Sequence, residues 1–265
     1  MKGTRLDVLL VSNGLCESRE RARALIMAGL VFVSGERADK AGATFAEDAV
    51  IDIKGSDCPF VSRGGKKLAR AVDEFSLSLE GLVCADIGAS TGGFTDCMLQ
   101  NGALRVYSVD VGYGQLAWKL REDSRVVCLE RTNARNLSRE QIPELLDFAS
   151  ADVSFISLSL ILPALAPLLK NGGRCTLLIK PQFEAGKEKV GKKGVVRDPT
   201  VHVEVIERVF GFLEDNGLSV LGLTHSPIKG PQGNIEYLVC AQKSAQPNVD
   251  IDIKAAVVAA HKMLD

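Results

Sequence analysis

The chain has no cysteine pair at C-x-x-C spacing, no closely spaced histidines and no run approaching 18 apolar residues. Each absence removes a class of protein. The seven cysteines (16, 58, 84, 97, 128, 175 and 240) are scattered and odd in number. They read as reduced core thiols, not as a disulfide framework. The three histidines (202, 225 and 261) lie too far apart in sequence for a zinc pattern, so no metal is expected. No transmembrane helix is expected from the apolar runs. The amino terminus, Met1-Lys2-Gly3-Thr4-Arg5-Leu6-Asp7, has no apolar signal core. A cytoplasmic protein with no membrane partner is therefore expected. The net charge of −1 excludes a globally basic nucleic-acid binder, and any RNA surface must come from local patches.

What remains is ordinary in bulk and specific in detail. With 265 residues, 46% hydrophobic and 25% charged, the chain has room for one or two domains and a buried core. Its most informative stretch is Cys84-Ala85-Asp86-Ile87-Gly88-Ala89-Ser90-Thr91-Gly92-Gly93-Phe94-Thr95. An apolar run ends in an acid, a glycine turn follows, and a helical pattern begins at Phe94. A second strand pattern ends in an acid at Asp110, 24 residues after Asp86. A first strand–turn–helix with an acid at the tip of the next strand is how α/β folds hold an adenosine ribose. A dinucleotide site would read G-x-G-x-x-G, shaped for a pyrophosphate. Here the order is Gly88-x-x-x-Gly92-Gly93, with Asp86 two residues ahead. That acid repels a pyrophosphate and suits the ammonium of a methionine moiety, so the pattern favours S-adenosylmethionine over NAD.

Two segments differ in pattern. Residues 1–59 form a small α+β unit, with helices over Arg5–Val11 and Ser18–Ile26, and strands at Val31–Val33 and Ala49–Ile53. Ser18 is a good N-cap and Gly29 a stop. Eight Lys and Arg stand against nine Asp and Glu before residue 59, yet Arg5, Arg19, Arg21 and Arg23 cluster around the two helices. From residue 60 to 265 strands and helices alternate, which predicts a mostly parallel, doubly wound α/β sheet. Strands are expected near 82–86, 105–110, 126–129, 148–152, 174–180, 218–224 and 235–241. Helices are expected near 64–76, 92–101, 114–121, 138–146, 156–169, 201–215 and 251–264.

Sites in such sheets lie at the carboxyl ends of the strands. Read in order, those ends offer Asp86, Asp110, Asp152 in Ala151-Asp152-Val153-Ser154-Phe155, and Lys180 in Leu177-Leu178-Ile179-Lys180-Pro181. Glu236 stands at the start of a late strand. One charged residue at a strand end is unremarkable, but several converging on one sheet edge suggest a site. Lower in rank are Asn133, which borders an adenine or serves a plain loop, and Ser90 and Thr91, whose hydroxyls suit a methionine end. Tyr113 and Trp118 either touch a cofactor or pack. The loop with Lys187, Lys189, Lys192, Lys193 and Arg197 is basic and is either a solvated loop or a clamp on an RNA backbone. It carries no aromatics for base stacking.

The string RLDVLLVSNGLCESRERARALIMAGLVFVSG is similar to the S4 RNA-binding domain. The resemblance implies RNA contacts at Arg5, Ser18, Arg19 and Arg23, where arginine forks suit phosphate. Ser62-Arg63-Gly64-Gly65-Lys66-Lys67-Leu68, D-I-G-A-S-T-G-G-F-T, A-D-V-S-F-I-S, I-K-P-Q-F-E and N-I-E-Y together resemble the TlyA family, within the FtsJ-like ribose 2′-O-methyltransferases. That family has also carried a hemolysin label. The resemblance implies a Rossmann-like S-adenosylmethionine-dependent methyltransferase sheet behind an S4 domain, acting on cytidine 2′-hydroxyls of 16S or 23S ribosomal RNA. Ribosomal RNA and ribosomal subunits are the implied partners. The family's K-D-K-E tetrad maps onto Lys67, Asp152, Lys180 and Glu236, with Lys66 a competitor for the first place. The implied cofactor residues are Asp86, Gly88, Ser90, Thr91, Gly92, Gly93, Phe94, Asp110, Asn133 and Asp152. Arg63, Lys66, Lys189, Lys193 and Arg197 join the RNA-contact set.

A sulfonium methyl is already activated, so the difficulty lies in the ribose hydroxyl. Two uses of Lys180 are open. It is a neutral base, against a free-lysine value of about 10.4, or it is a charged group that orients the hydroxyl while a carboxylate takes the proton. Two other functions compete with methyl transfer. A cytolysin is disfavoured by the missing secretion signal, transmembrane strand pattern and long amphipathic helix. A non-catalytic RNA-binding protein is disfavoured by the complete tetrad.

Overall fold

Alternating apolar strands and amphipathic helices from residue 60 onward produce one sheet flanked by helices. The computed structural model describes residues 3–13, 15–16, 18–46, 49–53, 58–230 and 232–264. Met1, Lys2, Gly14 and Glu17 of the strings read above lie outside the described residues. Contacts divide the chain into two units, Met1–Cys58 and Pro59–Asp265.

The first unit runs β1 (Thr4–Arg5), α1 (Leu6–Ser12), α2 (Arg19–Met27), β2 (Val31–Val33), β3 (Glu36–Arg37), β4 (Thr44–Phe45) and β5 (Ile51–Ile53). Leu6, Leu9 and Leu10 of α1 and Ala22, Leu25 and Ile26 of α2 recur at helical spacing and are buried. Most of them meet Val31 and Val33 in a small core. The Ser18 hydroxyl accepts from the Arg21 amide and caps α2. β2 pairs antiparallel with β3 and β5, and β1 with β4. Ser34 (φ 51°) and Gly35 (φ 86°) form the two-residue turn between β2 and β3, since paired left-handed residues match the strand twist.

The second unit holds α3 (Gly64–Glu74), β6 (Val83–Ile87), α4 (Gly93–Gln100), β7 (Arg105–Val109), α5 (Trp118–Arg121), β8 (Val126–Leu129), β9 (Leu146–Ala151), α6 (Leu162–Leu165), β10 (Leu169–Ile179), α7 (Pro181–Glu184), α8 (Pro199–Asp215), β11 (Leu218–His225), β12 (Tyr237–Lys243) and α9 (Ile253–Leu264). The strand order is β11-β12-β10-β9-β6-β7-β8. The five strands from β8 to β10 are parallel, and β12 runs antiparallel to both its neighbours. One face of the sheet, with Val83, Ala85, Ile87, Leu177 and Val239, joins a large apolar core that includes residues of α8 and α9.

Three sequence expectations give way. No helix forms over 138–146. Ser138 instead turns onto Gln141, its amide and hydroxyl both donating to Oε1. Pro143 then restricts Ile142 to extended backbone, and β9 begins at Leu146. The helix expected at 114–121 shrinks to the four residues of α5, because Gly114 sits at φ 72°. The helix expected at 156–169 breaks into two 3₁₀ turns around α6, with Pro163 and Pro167 unable to donate to preceding turns.

Candidate active site

Side chains alternate across a strand, so one level of the sheet sets the next. Asp86 on β6 is in register with Ser108 on β7 and Ser150 on β9. All three face α4, where the Thr95 hydroxyl donates to Asp86 Oδ2 at 2.7 Å and lies 2.7 Å from the Ser108 hydroxyl. Two residues further along the same face come Asp110, Gly88 and Asp152. Thr176 on β10 pairs with Ser150, and four residues further comes Lys180. On reversed β12 the same face runs through Leu238, opposite Leu178, to Glu236. Period-two alternation thus delivers Asp110, Asp152, Lys180 and Glu236 to one edge and one face.

Lys67 reaches that edge from the first turns of α3. Its Nζ donates to Glu236 Oε2 at 2.7 Å and to Asp152 Oδ2 at 3.4 Å. Lys180 Nζ lies 2.5 Å from Asp152 Oδ1 and donates to the Ser154 hydroxyl at 3.0 Å. The result is a continuous chain, Glu236–Lys67–Asp152–Lys180, with two ammoniums and two carboxylates. Lys67, Lys180 and Glu236 are buried and Asp152 is half-buried. Charges so shielded are tolerable because each has a partner at hydrogen-bond range. Lys66, the competitor, takes no part in the chain.

The glycine turn approaches this cluster closely. A Cβ on Gly88, which sits at φ 87°, would lie 2.5 Å from the Asp152 carbonyl oxygen. A Cβ on Gly93 would lie 2.3 Å from the Ser62 hydroxyl and 2.8 Å from the Gly65 amide. These glycines let β6, β9, α3 and α4 meet. Gly92, Gly93 and Phe94 are buried in that packing, while Ser90 and Thr91 are exposed and Gly88 half-buried. Asp86 is fully buried. The Thr95 amide and hydroxyl and the Ser150 hydroxyl donate to it, and burial pushes its carboxyl up to about 7. It therefore braces the start of α4 from below. Asp110, half-buried at the tip of β7, accepts from the Gly112 amide and the Ser90 amide, both at 2.7 Å. It stitches the glycine turn to the loop after β7. Exposed Asn133 accepts from the Arg135 amide and caps a 3₁₀ turn. Tyr113 and Trp118 are exposed, with the Arg131 guanidinium 4.3 Å from the Tyr113 ring centre.

Among the cationic positions, Arg63, Lys189, Lys193 and Arg197 are exposed and Lys66 is half-buried. Lys189 pairs with Glu204. In the first unit, buried Asp7 accepts from Arg5, Arg19 and Arg23. Their guanidiniums, Arg5 foremost, hold its carboxyl well below the usual carboxylate range. Exposed Ser18 serves as the cap already described.

Sequence reasoning missed Phe155. It follows β9, is 88% exposed, and adopts φ 63°. Its ring centre lies 5.0 Å from that of Phe183, and Lys180 Nζ lies 5.9 Å from the Phe183 ring. Phe155, Ser157, Gln182, Phe183, Arg135 and Lys187 line a groove of about 520 Å³. A large aromatic at the end of an apolar strand, in a string already singled out, was the available signal. A second depression, of about 400 Å³, lies at the opposite ends of β9 and β10, beside Asp147, Lys170 and Arg174.

Comparison with known proteins places the whole chain among characterised families. A family model described as FtsJ-like methyltransferase matches residues 60–243, and one described as S4 domain matches residues 4–51. TlyA of Mycobacterium tuberculosis, a 16S/23S rRNA (cytidine-2′-O)-methyltransferase, is 44% identical over 236 residues, spanning 89% of this chain and 88% of that protein. A solved structure from Streptococcus thermophilus that carries the hemolysin name is 50% identical, with a TM-score of 0.80 over 99% of this chain and 97% of that one. An S-adenosylmethionine dependent methyltransferase structure from Listeria monocytogenes, 14% identical, shares the fold, with a TM-score of 0.50 over 69% of this chain and all of that one.

Proposed function

The chain belongs to the FtsJ-like methyltransferase family and carries an S4 domain ahead of it, and from that premise we propose that it is a ribosomal RNA ribose methyltransferase acting on cytidine 2′-hydroxyls with S-adenosylmethionine. The observation that carries the reading is the unbroken ion-pair chain Glu236–Lys67–Asp152–Lys180 at the sheet edge beside the glycine turn. Methyl transfer to a hydroxyl needs little else. S-adenosylmethionine, when bound, supplies an activated methyl group.

The residues present fit that cofactor. Asp110 is an acid at a strand tip, suited to ribose hydroxyls, and exposed Ser90 and Thr91 offer polar groups on the adjoining turn. Gly88 and Asp152 belong to the same rim, where the glycine brings the turn against the strand end. Asn133 borders this rim beyond β8. Asp86, closed off beneath the turn, acts by holding α4 and with it Gly92, Gly93 and Phe94.

Lys180 is the group that meets the ribose hydroxyl. Asp152 holds it on one side and Ser154 on the other. Lys67 and Glu236 fix Asp152 from behind, so the four side chains form one rigid unit. Positioning hydroxyl and methyl in line supplies much of the acceleration, and handling the hydroxyl proton contributes about 10²–10⁴-fold. The exposed Phe155 ring, beside Lys180, suits a splayed-out base, since RNA readers stack unpaired bases on aromatic rings. Arg5, Arg19 and Arg23 on the S4 unit, and Arg63, Lys66, Lys189, Lys193 and Arg197 on the other, suit phosphates. Ribosomal subunits in the cytoplasm are the natural source of such RNA.

The test is to map ribose methylation on ribosomal RNA treated with wild-type protein and with Lys180→Ala. A 2′-O-methylcytidine is expected with the first and at least a hundredfold less with the second. Full transfer by Lys180→Ala would remove Lys180 from the mechanism. Lys180→Arg keeps the charge but cannot give up a proton, so residual transfer identifies the orienting use of Lys180.

A further inference from the structure

α7 is a single turn that begins beside Lys180 and ends on Glu184. Glu184 is only 7% exposed, and burial pushes its carboxyl up from its ordinary value. A carboxylate in such a place is costly unless its bonds are made. Here they go to the start of the 3₁₀ turn Leu158–Leu160, which Ser157 caps. The Leu158 amide donates to Oε1 at 2.8 Å and the Ser157 hydroxyl to Oε2 at 2.7 Å. The Glu184 carbonyl in turn accepts from Arg208 on α8 at 3.0 Å, which ties α7 to the body of the fold.

We infer that Glu184 is a positioning residue that holds the Asp152–Leu158 turn so that Phe155 stands in the substrate groove beside Lys180. The inference rests on the methyltransferase reading above and deepens it. The turn is pinned at two ends. Lys180 holds Asp152 and Ser154 at the near end, and Glu184 holds Ser157 and Leu158 at the far end. Between the pins sits Phe155, in left-handed backbone that bulky residues rarely adopt and with its ring in water. Such a conformation persists only where the surroundings over-determine it. The same single turn also carries Phe183, whose ring lies against Phe155. One short helix thus sets the spacing between the lysine that meets the hydroxyl and the ring that faces the base.

The test uses the full chain, ribosomal subunits as substrate and methyl-labelled S-adenosylmethionine. Glu184→Ala is expected to lower kcat/KM for the subunits about tenfold, the equivalent of about 1.4 kcal/mol, with S-adenosylmethionine affinity within about twofold of wild type. Phe155→Ala is expected to cost at least as much. In the double variant, Glu184→Ala should add less than about twofold, because its effect passes through Phe155. Glu184→Gln keeps an acceptor oxygen for the Leu158 amide and is expected to recover most of the loss. If Glu184→Ala fails to fold, Ser157→Ala removes one bond of the same pin and takes its place in the cycle. Multiplicative losses in the double variant would overturn the inference, as would undiminished kcat/KM in Glu184→Ala. Wild-type activity in Phe155→Ala beside an inactive Lys180→Ala would overturn it too, and would leave the methyltransferase reading standing.

Discussion

Asp86 shows how much a single side chain beneath a binding turn can cost and contribute. Its ordinary value is 3.8, and burial pushes it up to about 7 against the pull of Thr95 and Ser150. Below about pH 4 the carboxyl is protonated whether the chain is folded or not. Between about pH 4 and pH 7 only the folded chain keeps the proton, so this group's contribution to stability falls as pH rises through that window and is level above it. Asp86→Asn has no charge to bury. Its urea-melt stability is expected to fall less than that of wild type between about pH 4.5 and pH 7.5, and identical pH dependence would refute the assignment. Cys84 and Cys97, buried on the same side of the sheet, are pushed up to about 12 by that burial. They are inert thiols.

At the scale of elements, the site depends on two strand ends and two helix starts coming closer than side chains allow. Gly88→Ala places a methyl group 2.5 Å from the Asp152 carbonyl, at a φ of 87°. Neither backbone can yield cheaply. A loss of about 1–3 kcal/mol in thermal or urea melts is expected, with a fall in methyl transfer because Asp152 and Lys180 move together. A variant with wild-type stability would show that the turn has more slack than the packing indicates. Ser18→Ala tests the other unit. Its hydroxyl caps α2, so the change is expected to cost about 1 kcal/mol of that unit's stability. A loss of RNA affinity without that cost would give Ser18 a direct contact.

At the scale of the whole molecule, a net charge of −1 leaves RNA binding to local clusters, and the arginines around Asp7 in the first unit form the cluster to test. Arg19→Ala with Arg23→Ala is expected to weaken RNA binding alike for all sequences and to shallow the slope of log affinity against log salt by about one unit per lost phosphate contact. Unchanged affinity and slope at several salt concentrations would remove this face from the interface. The alternating pattern and the charged residues closing apolar runs made the sheet, its order of elements and the convergence of Asp152, Lys180 and Glu236 legible in the sequence, whereas Lys67, on a helix, came only with the family resemblance. Segment 138–146 was not legible, because its helical spacing lost to a Ser138–Gln141 turn and a proline. Phe155 showed only as an aromatic closing an apolar strand, and Glu184 not at all, because their roles arise from partners 28 and 27 residues away. β12 carries a consequence of its own. It enters the sheet between β10 and β11, both made before it, and Glu236 stands immediately ahead of it at the site. A chain still emerging from the ribosome therefore has an open seam in its sheet and lacks the last carboxylate.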